Sequence, residues 1–204
     1  MNLAAVPLAQ ELFTGNGRIY QCGIYYPRRH RMHWRCAFSR AVWKCKHGNA
    51  ESIRECGSML AHVLDGALPH RTAYLITYVP SEADQEIPAR HSRSAAHALA
   101  QTVFEELRDQ RSLSIEGLIA SVRRKEKKQH LCTSHQQRRE NVIGCFAATK
   151  RRLIDGKNVI VIDDVATSGA TILECHKVLL EAGAADVIGF VLARTVGWND
   201  GRSS

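Results

Sequence analysis

Residues 159–171 read VIVIDDVATSGAT, and this stretch decides how the rest of the chain is interpreted. It opens with four β-branched apolar residues in succession, which is typical of a strand buried on both faces of a parallel sheet. Two carboxylates follow, Asp163 and Asp164, and then a turn of hydroxyl and glycine residues. Thr171 and Glu174 have the spacing of a capping box, which predicts that a helix begins at Thr171.

The acid pair and the turn together predict a site for a sugar phosphate. In open α/β sheets, ligands bind at the carboxyl ends of the strands. A turn of small residues before a helix N-terminus directs backbone N–H groups at one spot, which favours a phosphate. Adjacent carboxylates can accept hydrogen bonds from neighbouring sugar hydroxyls and can lie near a phosphate-bound Mg²⁺. The alternative is a strand–turn–helix unit whose carboxylates are only solvated.

The stretch closely resembles the PRPP-binding motif of type I phosphoribosyltransferases, where PRPP is 5-phosphoribosyl-1-pyrophosphate. The resemblance runs position by position over all thirteen residues. It implies that the acid pair holds the ribose 2′- and 3′-hydroxyls and that the turn wraps the 5′-phosphate. It also implies that Mg²⁺ is a cofactor carried on PRPP, close to Asp163, and not held by a metal motif of the protein. The implied PRPP-binding residues are Asp163, Asp164, Val165, Ala166, Thr167, Ser168, Gly169, Ala170 and Thr171.

Two further segments resemble the other loops of this family, in its ComF-like branch. Residues 79–93 resemble the pyrophosphate loop, with Arg90 where the family has an arginine, although residues 91–94 depart from the family pattern. Residues 123–140 are basic and resemble a lid, and residues 138–146 resemble the pattern R-x-x-N-V-x-G-A-F. The resemblance implies a pyrophosphate loop of Pro80, Ser81, Glu82 and Arg90, and a catalytic set of Arg90, Arg138, Asp163 and Asp164. The alternatives are a solvated connector and a basic face that binds nucleic acid or nothing.

Thr167 limits the reaction that the resemblance implies. It occupies the position where oxopurine salvage enzymes of the family carry an aspartate that meets the purine. Because a threonine cannot act as that base, salvage of hypoxanthine or guanine is not expected. The implied activity is a pentosyltransferase that moves the 5-phosphoribosyl group of PRPP to or from a nitrogenous acceptor, which the sequence does not identify.

Strand and helix patterns alternate from residue 72 onward, which predicts an open, mainly parallel, twisted sheet flanked by helices. The expected core strands are 72–79, 113–122, 142–148, 159–162 and 187–193, and the expected core helices are 94–108 and 171–182. Residues 1–70 are expected to form a small N-terminal hood, with a strand at 19–26 and helices at 34–46 and 50–64. Residues 71–196 would then be the core and residues 197–204 a tail.

The charge of the chain predicts an anionic partner. The net charge is +8, and residues 12–50 contain eight basic residues but no Asp or Glu. A second basic cluster lies in residues 123–152. These clusters suit a polyphosphate substrate, nucleic acid, or both. A second hypothesis is therefore a regulator that senses PRPP or a nucleotide without catalysis, or a nucleic-acid-binding subunit of a larger complex in DNA uptake or defence, with segments 18–46 and 123–152 as its contact surfaces.

The remaining residues leave several alternatives open. Seven cysteines without a C-x-x-C pair suit a reducing cytoplasm, and we expect neither a signal peptide nor a membrane span. His30, His33, Cys36, Cys45 and His47 form either a metal site or a basic linker followed by buried helix cysteines. Trp34 and Trp43 either stack on nucleobases or belong to an amphipathic helix, and Arg194 either reaches the active site or pairs with a carboxylate. The sequence leaves the oligomeric state open.

Overall fold

The computed structural model of the chain describes residues 10–11, 18–81, 94–122, 137 and 140–196. Its strands are β1 (Gln10–Glu11), β2 (Arg18–Gln21), β3 (Ile24–Tyr25), β4 (Tyr74–Tyr78), β5 (Leu113–Ile115), β6 (Ile119–Ser121), β7 (Phe146–Ala148), β8 (Asn158–Ala166) and β9 (Asp186–Thr195). Its helices are α1 (Ala37–Lys46), α2 (Ala50–Ala67), α3 (Ala95–Leu107), α4 (Arg151–Ile154) and α5 (Ala170–Glu181). None of the helices in these ranges is long and apolar enough to cross a membrane.

The main sheet has seven strands in the order β1-β2-β9-β8-β4-β5, and β3 pairs with β9 beyond the end of β2. β1 is antiparallel to β2, and every other pair in this sheet is parallel. β6 and β7 form a separate antiparallel pair. The predicted fold class, a mainly parallel sheet flanked by helices, is confirmed.

The core strand β8 is buried on both faces, as its apolar run predicts. All four residues from 159 to 162 are fully buried. Ile160 and Ile162 pack with the helices α1, α2 and α3 on one face, whereas Val159 and Val161 pack with α5 on the other. This alternation is the two-residue period of a strand, and it fixes which face each following residue takes.

β8 runs further than the apolar run indicates. We predicted a strand over residues 159–162 with the carboxylates after its end, but the strand continues to Ala166 and contains both carboxylates. The reason is β9, which continues beside it and pairs Asp163 with Val191 and Ala166 with Arg194. A strand is extended where a neighbour accepts its hydrogen bonds, whatever the polarity of its own side chains.

Two other strand predictions need correction. The predicted strand over 113–122 is divided into β5 and β6, which belong to different sheets. The chain turns at Gly117, and Leu118 N–H donates to Thr77 Oγ1 at 3.2 Å. The predicted strand over 142–148 is a turn as far as Cys145, with Gly144 at φ +67°, and only Phe146–Ala148 is extended.

The N-terminal segment contributes to the main sheet. β2 and β3 both pair in parallel with β9 and are separated by Cys22 and Gly23. The sheet therefore takes strands from both sides of the boundary that we predicted at residue 70. The division into a hood, a core and a tail stays a prediction, and residues 197–204 lie outside the described residues.

α2 packs closely on α3, and a pair of glycines in α2 tests this contact. A Cβ at Gly57 would lie 2.5 Å from Thr102 Cγ2, whereas a Cβ at Gly66 would meet nothing within 4 Å. We expect Gly57→Ala to lower the free energy of unfolding by about 1–3 kcal/mol because the helices must move apart. Gly66→Ala should raise it by roughly 0.5–1 kcal/mol through helix propensity. Urea unfolding measures the free energy of unfolding of both variants. An equal change in the two variants would contradict the close packing at Gly57.

Candidate active site

The carboxyl end of β8 forms an open edge in the middle of the sheet. β4 pairs with β8 only as far as Tyr78 and Ile162, where Val79 N–H donates to the carbonyl of Ile162 at 2.9 Å. Residues 163–166 pair with β9, and within the ranges that the structure describes no strand pairs with them on the β4 side. Pro80 and Ser81 leave β4 beside this edge. The side where β4 has ended is therefore the side from which we expect a ligand to approach the end of β8.

The two carboxylates are held by the backbone that follows them. Asp164 N–H donates to Asp163 Oδ1 at 2.9 Å, and Val165 N–H donates to Asp164 Oδ1 at 2.6 Å. Asp164 lies on the strand face of Ile162, toward α1, and Asp163 lies on the opposite face, in phase with Val161. Both are partly exposed. Because a carboxylate has about four lone-pair positions, each retains capacity to accept from a hydroxyl.

Lys46 is a site residue that sequence reasoning missed. It is the last residue of α1, and its Nζ lies 3.2 Å from Asp164 Oδ2. Burial lowers the pKa of Lys46, but the carboxylates of Asp164 and Asp163 raise it further than burial lowers it, so that the net shift is upward. Lys46 is therefore a firmly charged ammonium beside the acid pair. Spacing gives no signal for this contact, because the two residues are far apart in the chain.

The turn after β8 leads directly into α5. Gly169, at φ +73°, is the residue before the first helical turn, and α5 begins at Ala170. This φ is open to glycine and strained for other residues. Within the described part of the chain no side chain caps this helix N-terminus, although Ser168 Oγ accepts a long hydrogen bond of 3.5 Å from Ala170 N–H. The N–H groups of the first turn of a helix need partners from outside the helix, and an anion is a suitable one.

The predicted capping box at Thr171 and Glu174 is wrong. The helix begins one residue before Thr171, and the Glu174 carboxylate instead accepts from Gly144 N–H at 2.8 Å. Glu174 is buried by this contact. It ties α5 to the turn that precedes β7, so this glutamate has a structural partner away from the helix N-terminus.

The other predicted site residues are only partly described. Ser81 lies just beyond β4, while Val165 and Ala166 are the last residues of β8. Arg194 lies beside Ala166 in the ladder, and its buried Nε has no hydrogen-bond partner among the described residues. Glu82, Arg90 and Arg138 lie outside the described residues. Their predicted contacts with pyrophosphate therefore stay predictions.

The histidines and cysteines of residues 30–47 have separate partners. His33 Nδ1 lies 2.7 Å from the backbone carbonyl of Tyr26. His47 Nδ1 lies 2.7 Å from the backbone carbonyl of Trp43. A hydrogen bond with Cys56, together with burial, raises the pKa of the Cys45 thiol. In the ranges that the structure describes, no three or more His, Cys, Asp or Glu residues are grouped so that they could hold a metal ion.

Trp34 and Trp43 already share a cation. The guanidinium carbon of Arg28 lies 5.4 Å from the Trp34 ring centroid and 5.0 Å from that of Trp43. Trp34 is nevertheless 61% exposed. The two rings and the arginine form a cluster in the N-terminal segment, in which Arg28 and Trp34 are exposed and Trp43 also packs against the core.

Comparisons with known proteins match the part of the chain that carries β8 and α5. A model of the phosphoribosyl transferase domain family matches residues 88–198, more than half of the chain. A curated protein, ribose-phosphate pyrophosphokinase 3, chloroplastic, from Oryza sativa subsp. japonica, is 50% identical over 36 residues. These residues make up 18% of this chain and 9% of that protein, so the chain spans only a small part of the curated relative's length.

Several solved structures resemble the chain at low sequence identity. An allosteric regulatory enzyme of purine biosynthesis is 23% identical with a TM-score of 0.43, over 68% of this chain and 25% of that chain. A hypoxanthine phosphoribosyltransferase from Staphylococcus aureus is 10% identical with a TM-score of 0.41, over 72% of this chain and 75% of that one. A hypothetical protein from Neisseria gonorrhoeae with bound ppGpp is 16% identical with a TM-score of 0.42, over 76% of this chain and 74% of that one.

Proposed function

This chain belongs to the phosphoribosyl transferase domain family, and from that premise we propose that it is a ComF-like phosphoribosyltransferase that binds PRPP with Mg²⁺. It transfers the 5-phosphoribosyl group to or from a nitrogenous acceptor. One observation carries the proposal. The acid pair lies on the open carboxyl end of β8, directly before a glycine turn and the N-terminus of α5.

Each part of PRPP has residues that suit it. Asp163 and Asp164 accept hydrogen bonds from the ribose hydroxyls. The backbone N–H groups and hydroxyls of residues 167–171 bind the 5′-phosphate, because the N-terminus of α5 favours an anion. We assign the pyrophosphate to the loop of Pro80, Ser81, Glu82 and Arg90, and to Arg138. The guanidinium groups of Arg90 and Arg138 stabilise the negative charge that gathers on pyrophosphate as it leaves.

The transfer is a displacement at C1 of the ribose. The lone pair of the acceptor nitrogen forms the new bond to C1, and the bond between C1 and the pyrophosphate oxygen breaks with its electron pair on that oxygen. The nitrogen then releases its proton to solvent. The residues named above contribute by fixing the orientation of PRPP before the acceptor attacks, which lowers the barrier to the displacement.

Mg²⁺ fits the donor set at this end of β8. Carboxylate and phosphate oxygens are the ligands that Mg²⁺ prefers, and Asp163 presents a partly exposed carboxylate there. The described residues contain no cluster that would hold the ion without a phosphate. When bound with PRPP, the ion supplies positive charge to the pyrophosphate.

Calorimetric titration with PRPP in a buffer that contains MgCl₂ tests the proposal. We expect saturable binding to one site, and weaker binding of ribose 5-phosphate, because it lacks the pyrophosphate. Inorganic pyrophosphate alone should compete with PRPP. Absence of binding by both PRPP and ribose 5-phosphate would rule out the assigned site.

A second candidate function is binding of nucleic acid, with PRPP or a nucleotide as effector or with no turnover at all, as a regulator or as a subunit of a complex in DNA uptake or defence. The exposed Trp34, clustered with Arg28 and with exposed arginines at 29, 31 and 35, favours it. Aromatic rings among cations are typical of surfaces that bind single strands. Binding to a single-stranded oligonucleotide should weaken steeply as salt is added. Salt-insensitive or absent binding would exclude this function.

The location and the assembly of the protein are also proposals. We infer that the protein is cytoplasmic, since six described cysteines are free thiols and a reducing compartment preserves them. Residues 1–70 are proposed to act as a hood over C1 of the ribose. Size-exclusion chromatography with light scattering measures whether the chain forms an oligomer.

A further inference from the structure

Arg194 lies near the end of β9, where the ladder holds its backbone from both sides. It pairs with Ala166 of β8 and with Ile24 of β3. Its N–H also donates to the carbonyl of Gly23 at 2.9 Å. The two neighbouring strands therefore fix the point from which the side chain of Arg194 extends.

The pairing with β8 places the side chain of Arg194 on the α5 face of the sheet. Residues that are paired in a parallel ladder share a face, and successive residues take opposite faces. Val165 and its partner Ala193 pack with the cluster that contains residues of α1. Ala166 packs instead with the cluster that contains Ala170, the first residue of α5. Arg194, as the partner of Ala166, therefore lies toward α5.

The pairing with β3 leads to the same face. Tyr25 is paired with Thr195 and packs in the cluster that contains residues of α1. The preceding pair, Ile24 and Arg194, therefore takes the opposite face. Ile24 is 37% exposed, so this face of the ladder is open beside Arg194 and a ligand can reach it.

The guanidinium of Arg194 has an unsatisfied donor. Its Nε is buried, and none of the described residues accepts a hydrogen bond from it. Asp164 in the neighbouring strand is paired with Lys46 instead, and residues 167–171 contain no acidic side chain. A buried donor of a charged group is costly when it has no partner, so a donor of this kind indicates an ion or a ligand.

The turn that follows Ala166 is an anion site within reach of Arg194. Neighbouring strands lie about 4.8 Å apart, which is less than the length of an extended arginine side chain. Residues 167–169 start directly after Ala166, and α5 begins at Ala170 without a side-chain cap among the described residues. We therefore expect one anion to accept hydrogen bonds both from the N–H groups of α5 and from the guanidinium.

We propose that Arg194 binds the 5′-phosphate of the ligand together with the N-terminus of α5. This inference rests on the proposed PRPP site and adds to it a residue from a different strand. Arginine presents a planar fork of donors that matches the oxygens of a phosphate. The pyrophosphate is assigned to the loop after β4, which lies on the other side of β8 from β9. Arg194 therefore serves the 5′-phosphate and not the leaving group.

Two anions separate this role from a general attraction of anions. Ribose 5-phosphate carries only the 5′-phosphate, whereas inorganic pyrophosphate represents only the leaving group. We expect Arg194→Met to weaken the binding of ribose 5-phosphate by at least about tenfold, because hydrogen bonds between charged groups are lost. The affinity for inorganic pyrophosphate, measured by its competition with PRPP, should stay unchanged. Calorimetric titration in one buffer with MgCl₂ measures both affinities.

Two further variants complete the experiment. Arg194→Lys keeps the positive charge but loses the planar fork, so its affinity for ribose 5-phosphate should lie between those of the wild type and Arg194→Met. Arg18→Met is the matched control, because Arg18 lies beside the opposite end of β9, where it pairs with Asp186 on the surface. It removes the same charge away from the site and should leave both affinities unchanged.

The outcomes separate this inference from the proposed function. If the wild type and Arg194→Met bind ribose 5-phosphate equally well, Arg194 does not bind the phosphate, while the proposed site stands. An equal loss of both anions in the two Arg194 variants, or a loss confined to pyrophosphate, would overturn the role at the 5′-phosphate. If the wild type binds neither PRPP nor ribose 5-phosphate, the site itself is wrong and the inference falls with it.

Discussion

Replacement of both Asp163 and Asp164 by asparagine is expected to weaken PRPP binding by at least about a hundredfold. Asparagine keeps the shape of the side chain and one acceptor oxygen, but it loses the negative charge. Each hydrogen bond from a ribose hydroxyl to a carboxylate is worth about 1.5–3 kcal/mol, so loss of two such bonds accounts for the hundredfold effect. The change also removes the Asp164 carboxylate, which is the counter-ion of the Lys46 ammonium.

The double variant should fold normally. The side-chain oxygens that accept from Asp164 N–H and Val165 N–H are retained in asparagine. Asp186→Asn is the matched control, because Asp186 lies at the other end of β9, where it pairs with Arg18 on the surface. Calorimetric titration with PRPP at constant Mg²⁺ measures the effect. Binding by the double variant as tight as that of the wild type would show that the acid pair does not hold the ribose.

The largest effect on stability is expected at Arg111, whose side chain is fully buried. Its Nε donates to Asp65 Oδ1 at 2.5 Å, and its terminal nitrogens donate to the carbonyls of Asp65, Leu68 and Pro69. Arg111, which lies just before β5, thus supplies hydrogen-bond donors to the backbone carbonyls at and after the C-terminal end of α2. Arg111→Met removes all of these donors and leaves a carboxylate and three carbonyls unsatisfied. We expect the free energy of unfolding to fall by about 3–5 kcal/mol.

Arg108→Met provides the comparison for this prediction. Arg108 is exposed and lies 3.9 Å from its neighbour Asp109, so its loss should change stability by less than about 0.5 kcal/mol. Guanidinium chloride unfolding of both variants, with the midpoint and the slope fitted separately, distinguishes them. If Arg111→Met lowers the free energy of unfolding by less than about 1 kcal/mol, the desolvation cost of burying the guanidinium offsets the stabilisation from its hydrogen bonds.

The strand, the turn and the helix around the acid pair could be predicted because they depend on local chemistry. Four apolar β-branched residues in a row have few places in a fold other than a buried strand, and Gly169 permits the conformation that the turn requires. The end of β8 could not be predicted in this way. It is determined by β9, whose length extends the ladder through residues that are polar.

Two further failures have the same origin. The Thr171 and Glu174 spacing satisfies a local rule, but Glu174 finds a better partner in Gly144 N–H, which the fold brings beside it. Lys46 and Asp164 meet only because β3 pairs with the end of β9 and places α1 over the sheet. Partners supplied by tertiary structure leave no trace in the spacing of either residue. The acid pair and the turn could therefore be located from the sequence, whereas the contact between Lys46 and Asp164 could not.

β9 pairs with β2, β3 and β8, and it follows every other described strand in the chain. During synthesis, the ribosome has therefore made both halves of the sheet before it makes the strand that joins them. Until β9 emerges, β2 has no parallel neighbour and the apolar faces of β8 are uncovered on that side. Pairings between such distant segments form slowly, and strand edges that have not yet found their partner are prone to aggregation. We therefore expect the edges of β2 and β8 to need shielding in the nascent chain until β9 has emerged.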